Sequence, residues 1–258
     1  MSVVVPRLGY TVRIDIFSDL ACPWCYIGLT RFNRVLAGFE HGDEVSVELH
    51  SFQLDPGLPE TYDGTETQYL ASRKGLPEEA IRRMFGQVRG AATSEAITLD
   101  FDALRVANSW RAHRLIHAAR RVDAATALAV KLALFRAHFT DGESISDPHL
   151  LRRIAAAHGV PENLADRAAT GASRRPMDGG DDLDRAIVAD LDQASAYGIA
   201  GVPYFVFIDK YGVSGAQPAE AFEQILEQVW AEAHPAPVPL TGLPVGAGGP
   251  SCGIDGCS

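Results

Sequence analysis

Basic residues are in short supply. Against 33 aspartates and glutamates stand only 23 lysines and arginines, a formal net charge of −10 over 258 residues. Phosphate backbones are gripped by clustered cations, so this balance argues against a nucleic-acid binder. Long apolar runs are missing too. No stretch reaches the roughly 20 apolar residues that cross a bilayer, and none is expected to. The opening segment MSVVVPRLGYTVRI lacks the charged lead and apolar core of a secretory signal, so a cytoplasmic location is expected. Cysteine is scarce, with four residues. Four are too few for a disulfide scaffold and suit redox or metal chemistry in a reducing compartment.

What is plentiful is apolar surface, at 47% of residues. That suffices for one domain with a large insertion or for two small ones. Val12, Ile14 and Ile16 alternate with Arg13 and Asp15, which predicts a strand. Cys22-Pro-Trp-Cys25 then opens a helix running to about Leu36, with Pro23 in the turn where a missing N–H does no harm. Val45, Val47 and Leu49 alternate with Ser46, Glu48 and His50 in a second strand. From Glu60 to Arg175 the pattern is helical. Pro77 with Glu78 and Glu79 opens one helix, Leu128, Leu132, Phe135 and Phe139 line one face of another, and Asp147-Pro148 caps a third. A helix over Asp181–Tyr197 leads through Gly201-Val202-Pro203 into an apolar strand, Tyr204–Ile208. Turn chemistry at Asp209–Gly212, a short strand at Val213–Ala216 and a helix over Ala219–Ala233 complete the series. No internal repeat is visible.

The central motif is C-x-x-C behind a strand and at the start of a helix. A thiolate is the reacting species, and a helix N-terminus favours the anion through its free N–H groups and dipole. Cys22 is therefore the expected nucleophile, and Cys25, one turn on, the resolving thiol. Pro23 and Trp24 lie between them and tune the pair. The strand and helix around the motif favour redox over metal binding. Asp19, just ahead of the pair, is a candidate for tuning it, against the plainer reading of a loop or capping carboxylate. Pro203 at the head of a strand is a candidate cis proline. His113 and His117 stand four apart on a helix, a metal-capable spacing, but no carboxylate or cysteine is near them in sequence, so a surface or satisfied structural pair is expected. No metal and no organic cofactor is expected.

Phe17–Gly28, holding Cys-Pro-Trp-Cys, together with Tyr197–Val206, holding Gly-Val-Pro, resembles the DsbA family and within it the FrnE-like branch. The likeness runs over residues 10–233. It implies an α/β, thioredoxin-like fold with a large inserted all-helical domain: a first thioredoxin part over 1–58, the insertion over 59–178, and a second part over 179–234. A flexible tail, 235–258, follows. It also implies that Cys22 and Cys25 cycle between dithiol and disulfide, and that Val202 and Pro203 lie beside them and hold an extended substrate segment. The glutathione-dependent isomerase branch has serine where Cys22 stands. Periplasmic relatives have histidine between the cysteines, which points this chain toward reduction or isomerisation. Asn108-Ser-Trp110 is a further family-like stretch.

The tail ends in Cys252-Gly-Ile-Asp-Gly-Cys257, a second pair resembling that of the FrnE subgroup. The 17 residues from Pro235 to Ser251 span about 22 Å as a flexible coil and about 55 Å fully extended, so the pair can reach Cys22 and Cys25. The expectation is a thiol-disulfide oxidoreductase or isomerase. Its partners would be disulfide-containing or unfolded proteins and a reducing partner such as a thioredoxin system or a low-molecular-weight thiol. A homodimer is left open. The alternatives are a glutathione-dependent small-molecule isomerase of the same fold and a metal-binding or chaperone-like module.

Overall fold

Alternation of β-branched residues starts the fold. Strand β1 (Val12–Ser18) leads into α1 (Pro23–Gly38), and a short 3-10 turn at Gly42–Glu44 leads into β2 (Val45–Ser51). The protein is described by a computed structural model covering residues 12–235, with the backbone alone at 252–253 and 256–257. β1 and β2 pair in parallel from Val12↔Val45 to Ser18↔Ser51, the geometry a helical crossover requires.

Six helices follow: α2 (Glu66–Lys74), α3 (Glu78–Thr93), α4 (Trp110–Arg120), α5 (Ala124–Phe139), α6 (Pro148–Ala157) and α7 (Glu162–Thr170). Then come α8 (Asp182–Ala196), β3 (Tyr204–Phe207), β4 (Tyr211–Ser214) and α9 (Ala219–Ala233). The sheet order is β2-β1-β3-β4, with β3 antiparallel to both neighbours. This is a thioredoxin-like α/β fold with a helical insertion. The two halves of the chain meet where Ile14 pairs with Phe207 and Phe17 with Tyr204. Phe32 of α1 packs against Phe205, Phe207 and Phe222, which locks α1 and α9 on one face of the sheet.

The turn between β3 and β4 is tighter than the sequence predicts. Ile208 and Asp209 both take positive φ, and Lys210 N–H bonds to the Phe207 carbonyl, so three residues join Phe207 to its strand partner Tyr211. β4 therefore starts at Tyr211. Gly212 is a strand residue, required because the Tyr204 ring lies where a Cβ would stand. Asp15 is also corrected. It is fully buried, because β1 is an inner strand covered on both faces. Among the described residues no helix is long and apolar enough to cross a membrane.

Candidate active site

Cys22 is the N-cap of α1, in extended backbone, with Pro23 in the first helical turn. Its side chain makes no capping bond, and the first turn carries no acidic residue. The sulfur thus stands at the positive end of a 16-residue helix with no competing anion on that turn. Its S–H group reaches the Val202 carbonyl at 3.6 Å. The Val202–Pro203 peptide bond is cis. Gly28 makes this approach possible, since a Cβ there would lie 3.1 Å from Pro203 Cγ and 3.2 Å from Ala216 Cβ. The structure therefore brings Cys22, Cys25, Val202 and Pro203 together from opposite ends of the fold.

Cys22 is only 5% exposed, with the Val202 carbonyl across it, while Trp24 beside it is 39% exposed and Pro23 half-buried. Cys25 is completely covered. Burial pushes the Cys25 thiol well above its ordinary value, and the hydrogen bond to Cys22 and the charge there push the same way. Cys25 therefore holds its proton more firmly than a free thiol does.

Asp19 does more than cap a loop. It is 1% exposed, accepts from Leu54 N–H at 2.7 Å and from Ala21 N–H at 3.3 Å, and lies 3.3 Å from His113 Nε2. Burial alone would raise its carboxyl; the His113 hydrogen bond and charge, with Leu54 N–H and Ser109, hold it below the usual range. The histidine pair is buried and structural, with carboxylates that the fold brings to it. His113 meets Asp19, and His117 Nε2 lies 3.0 Å from Asp190 of α8 and 3.1 Å from Ser51 Oγ. Both partners come from far along the chain, which is why spacing alone did not find them.

Two groups were missed outright. Lys131 of α5 is fully buried, and burial lowers it to about 8 while Cys25, Asp190 and Asp19 pull it back up. A lone lysine inside the apolar run Ala127–Phe135 was the available signal. His50 lies between Asp15 at 2.7 Å and Asp190 at 2.8 Å, one carboxylate on each ring nitrogen. Asp15, Glu48 and His50 stand close enough to share a cation. Arg13 and Arg120 already occupy those carboxylates, so the donor set does not suit a metal.

A cavity of about 220 Å³ opens beside the pair, between the β1–α1 loop and the insertion. Asp19, Ala21, Leu54, Glu66, Arg73 and His138 are among its walls. Burial raises Glu66 to about 7 and lowers His138 to about 4. The family-like Asn108 ties this region together. Its amide donates to the Leu58 carbonyl at 2.6 Å and accepts from Gln53 and from Trp110 N–H, both at 2.9 Å.

At the tail, β5 (Cys252–Gly253) and β6 (Gly256–Cys257) pair antiparallel, with Cys252 opposite Cys257. Their side chains and the rest of the tail lie outside the described residues.

A C-x-x-C at a helix N-terminus, faced by a backbone carbonyl from the far half of the sheet, defines a thioredoxin-fold dithiol protein. Residues 13–227 match the DSBA-like thioredoxin domain, and the chain belongs to that family of thiol-disulfide oxidoreductases. A probable DsbA oxidoreductase from Streptomyces coelicolor is 31% identical, with a TM-score of 0.76 over 96% of this chain and 98% of its own. The cytosolic disulfide reductase DsbM from Pseudomonas aeruginosa, solved with GSH, is 19% identical, with a TM-score of 0.57 over 84% of this chain and 98% of its own. A 2-hydroxychromene-2-carboxylate isomerase is 12% identical, with a TM-score of 0.60 over 85% of this chain and 97% of its own. These last two share the fold. No curated protein matches the sequence.

Proposed function

We propose that the chain exchanges protein disulfides through Cys22 and Cys25, as a reductase or isomerase working in the cytoplasm. The observation that carries this reading is the Cys22 sulfur at the α1 N-terminus, 3.6 Å from the Val202 carbonyl, with Cys25 sealed one turn behind it. The Cys22 thiolate attacks one sulfur of a substrate disulfide. That S–S bond breaks, a Cys22–substrate disulfide forms, and the other substrate sulfur leaves with the electron pair. Cys25 then attacks Cys22, releasing the second substrate thiolate and oxidising the enzyme pair. A thioredoxin system or a low-molecular-weight thiol returns it to the dithiol. Val202 and Pro203 hold an extended client segment, and exposed Trp24 gives it an apolar contact. Asp19 tunes the pair from beneath. In this reading the chain is of the FrnE-like branch, and its tail pair, Cys252 and Cys257, relays electrons to Cys22 and Cys25.

A second reading has a specific observation in its favour. The cavity beside Ala21 combines Arg73 with a buried carboxyl, Glu66, a lining suited to a small zwitterionic thiol. The similarly folded reductase solved with GSH fits that alternative.

The test is insulin reduction and scrambled-ribonuclease reactivation. Cys22→Ser is expected to abolish both, whereas Cys25→Ser should accumulate Cys22–client mixed disulfides. Full turnover by Cys22→Ser would overturn the assignment. Turnover confined to small disulfides would select the second reading.

A further inference from the structure

Glu66 opens α2 directly after the Thr65 cap and is only 8% exposed. It lines the cavity of about 220 Å³ beside the dithiol. Among the described residues no hydrogen bond and no ion pair reaches its carboxyl, and burial alone acts on it. A buried carboxyl is costly to ionise until a cation answers it. The cations on the same wall are engaged elsewhere or lie in water. Arg73 pairs with Asp55 at 3.3 Å, Tyr69 O–H donates to the same Asp55 oxygen at 2.8 Å, and Lys74 is exposed. His138, on another wall, is 3% exposed, and its Nδ1 has no hydrogen-bond partner. Burial lowers it to about 4, so it is neutral near pH 7, and a neutral ring nitrogen can accept an N–H. Between these two polar groups the lining is apolar, with Leu54, Leu58, Leu70 and Val106.

The cavity adjoins the attacking end of α1. Ala21, the residue before Cys22, lines it together with Asp19. The Asp19 carbonyl accepts from Cys22 N–H at 3.2 Å, and its carboxylate accepts from Leu54 N–H at 2.7 Å. Leu54 is 45% exposed at the rim, so a client chain held at Val202 and Pro203 passes an apolar entrance.

We propose that this cavity reads a lysine beside the client cysteine, with Glu66 as the specificity-determining residue. This deepens the protein-disulfide reading, on which it rests, by naming a class of client. The lysine ammonium carries three N–H donors and no acceptor, which suits a pocket holding an unanswered carboxyl and a free ring nitrogen. Its four-carbon stem lies along the leucines while the charge meets Glu66. An uncharged side chain of equal length leaves the carboxyl unanswered, and an acidic one adds a second anion. Glu66 touches neither sulfur of the pair, so its effect belongs to client binding rather than to exchange. A free zwitterionic thiol would bring its own ammonium to the same acid, and the experiment separates the two occupants.

Reduced enzyme in excess is mixed with symmetric disulfides of short cysteine peptides that carry lysine, norleucine or glutamate on either side of the cysteine, and with glutathione disulfide. Acid-quenched samples are separated and the released thiol is counted. The lysine peptide should half-saturate at about tenfold lower enzyme concentration than the norleucine peptide, with limiting rates within about twofold of each other. In Glu66→Gln that ratio should fall to about one, whereas Glu66→Asp, which keeps the charge, should retain part of it. A merely structural role for Glu66 would weaken all peptides alike and leave the ratio standing. Equal use of the lysine and norleucine peptides by the wild type overturns the proposal. So does a preference that survives Glu66→Gln, which would report only the pull of the acidic surface as a whole. A loss confined to glutathione disulfide overturns it in favour of the free thiol. Should Glu66→Gln fail to fold, Leu70→Phe, which fills the cavity, takes its place with the same loss expected. Absence of any released peptide thiol from the wild type would instead overturn the exchange reading.

Discussion

His50 carries a carboxylate on each ring nitrogen and a stacked Phe17 ring at 4.6 Å. Burial pushes it down, but the bonds to Asp15 and Asp190 outweigh this and hold it above its usual value. The two carboxyls are held low in turn. A raised histidine stabilises the fold fully below its unfolded value of about 6.5, and that contribution fades as pH rises through the folded value. The lowered carboxylates contribute above about pH 4 and fade as pH falls. The triad is therefore strongest between about pH 4 and 6.5. His50→Gln should cost about 1–3 kcal/mol near pH 6, because it removes a charged partner from two buried carboxylates that keep Arg13 and His117. Denaturant unfolding at pH 6 and pH 9 checks this: the gap from wild type should shrink at pH 9, and an unchanged gap would refute a charged His50. In the sequence His50 reads as an outward residue of an alternating strand. Its burial comes from α4 and α8 closing over the end of β2, and no local pattern reports that.

Among the elements, α1 is the one whose packing governs the chemistry, and Gly28 is its contact with the Pro203 loop. Gly28→Val should overpack that contact, costing about 1–3 kcal/mol and lowering insulin turnover as Val202 is driven from Cys22. Gly86→Ala on exposed α3 meets nothing within 4 Å and should instead stabilise by about 0.5–1 kcal/mol. Thermal melts of the two variants should move in opposite directions. Much at this scale was legible. β1, α1 and β2 announce themselves by alternation, by Pro23 and by the apolar spacing. α5 was legible in part. Its Phe135–Phe139 stripe is buried, but the buried surface also takes in Lys131 and His138, which hydrophobic periodicity leaves out. The β3–β4 turn was misplaced because two non-glycine residues adopt positive φ there.

In the molecule as a whole, the insertion and the sheet are joined by ion pairs rather than by a linker alone. Arg31 and Arg34 of α1 hold Glu95, and Arg114 of α4 holds Asp181 and Asp184 at the head of α8. Tyr26 of α1 also stacks on Phe135 of α5 at 5.2 Å. Across the same joint His113 of α4 meets Asp19 of the β1–α1 loop, and pairings over such distances leave no trace in sequence. The tail is tested at this scale as well. Replacing Cys252 and Cys257 with serine should slow multiple-turnover insulin reduction while leaving the first stoichiometric reaction of Cys22 intact. Unchanged turnover would remove the relay.

Trp24 lies between Cys22 and Cys25 in sequence and is the most exposed of the three tryptophans. Trp110 is sealed and bonded to Asp184, and Trp230 is sandwiched by the His41 and His234 rings. The chain therefore contains a built-in optical gauge. Its indole emission should differ between the open dithiol and the closed disulfide, so the midpoint of the couple can be titrated against a redox buffer without any label.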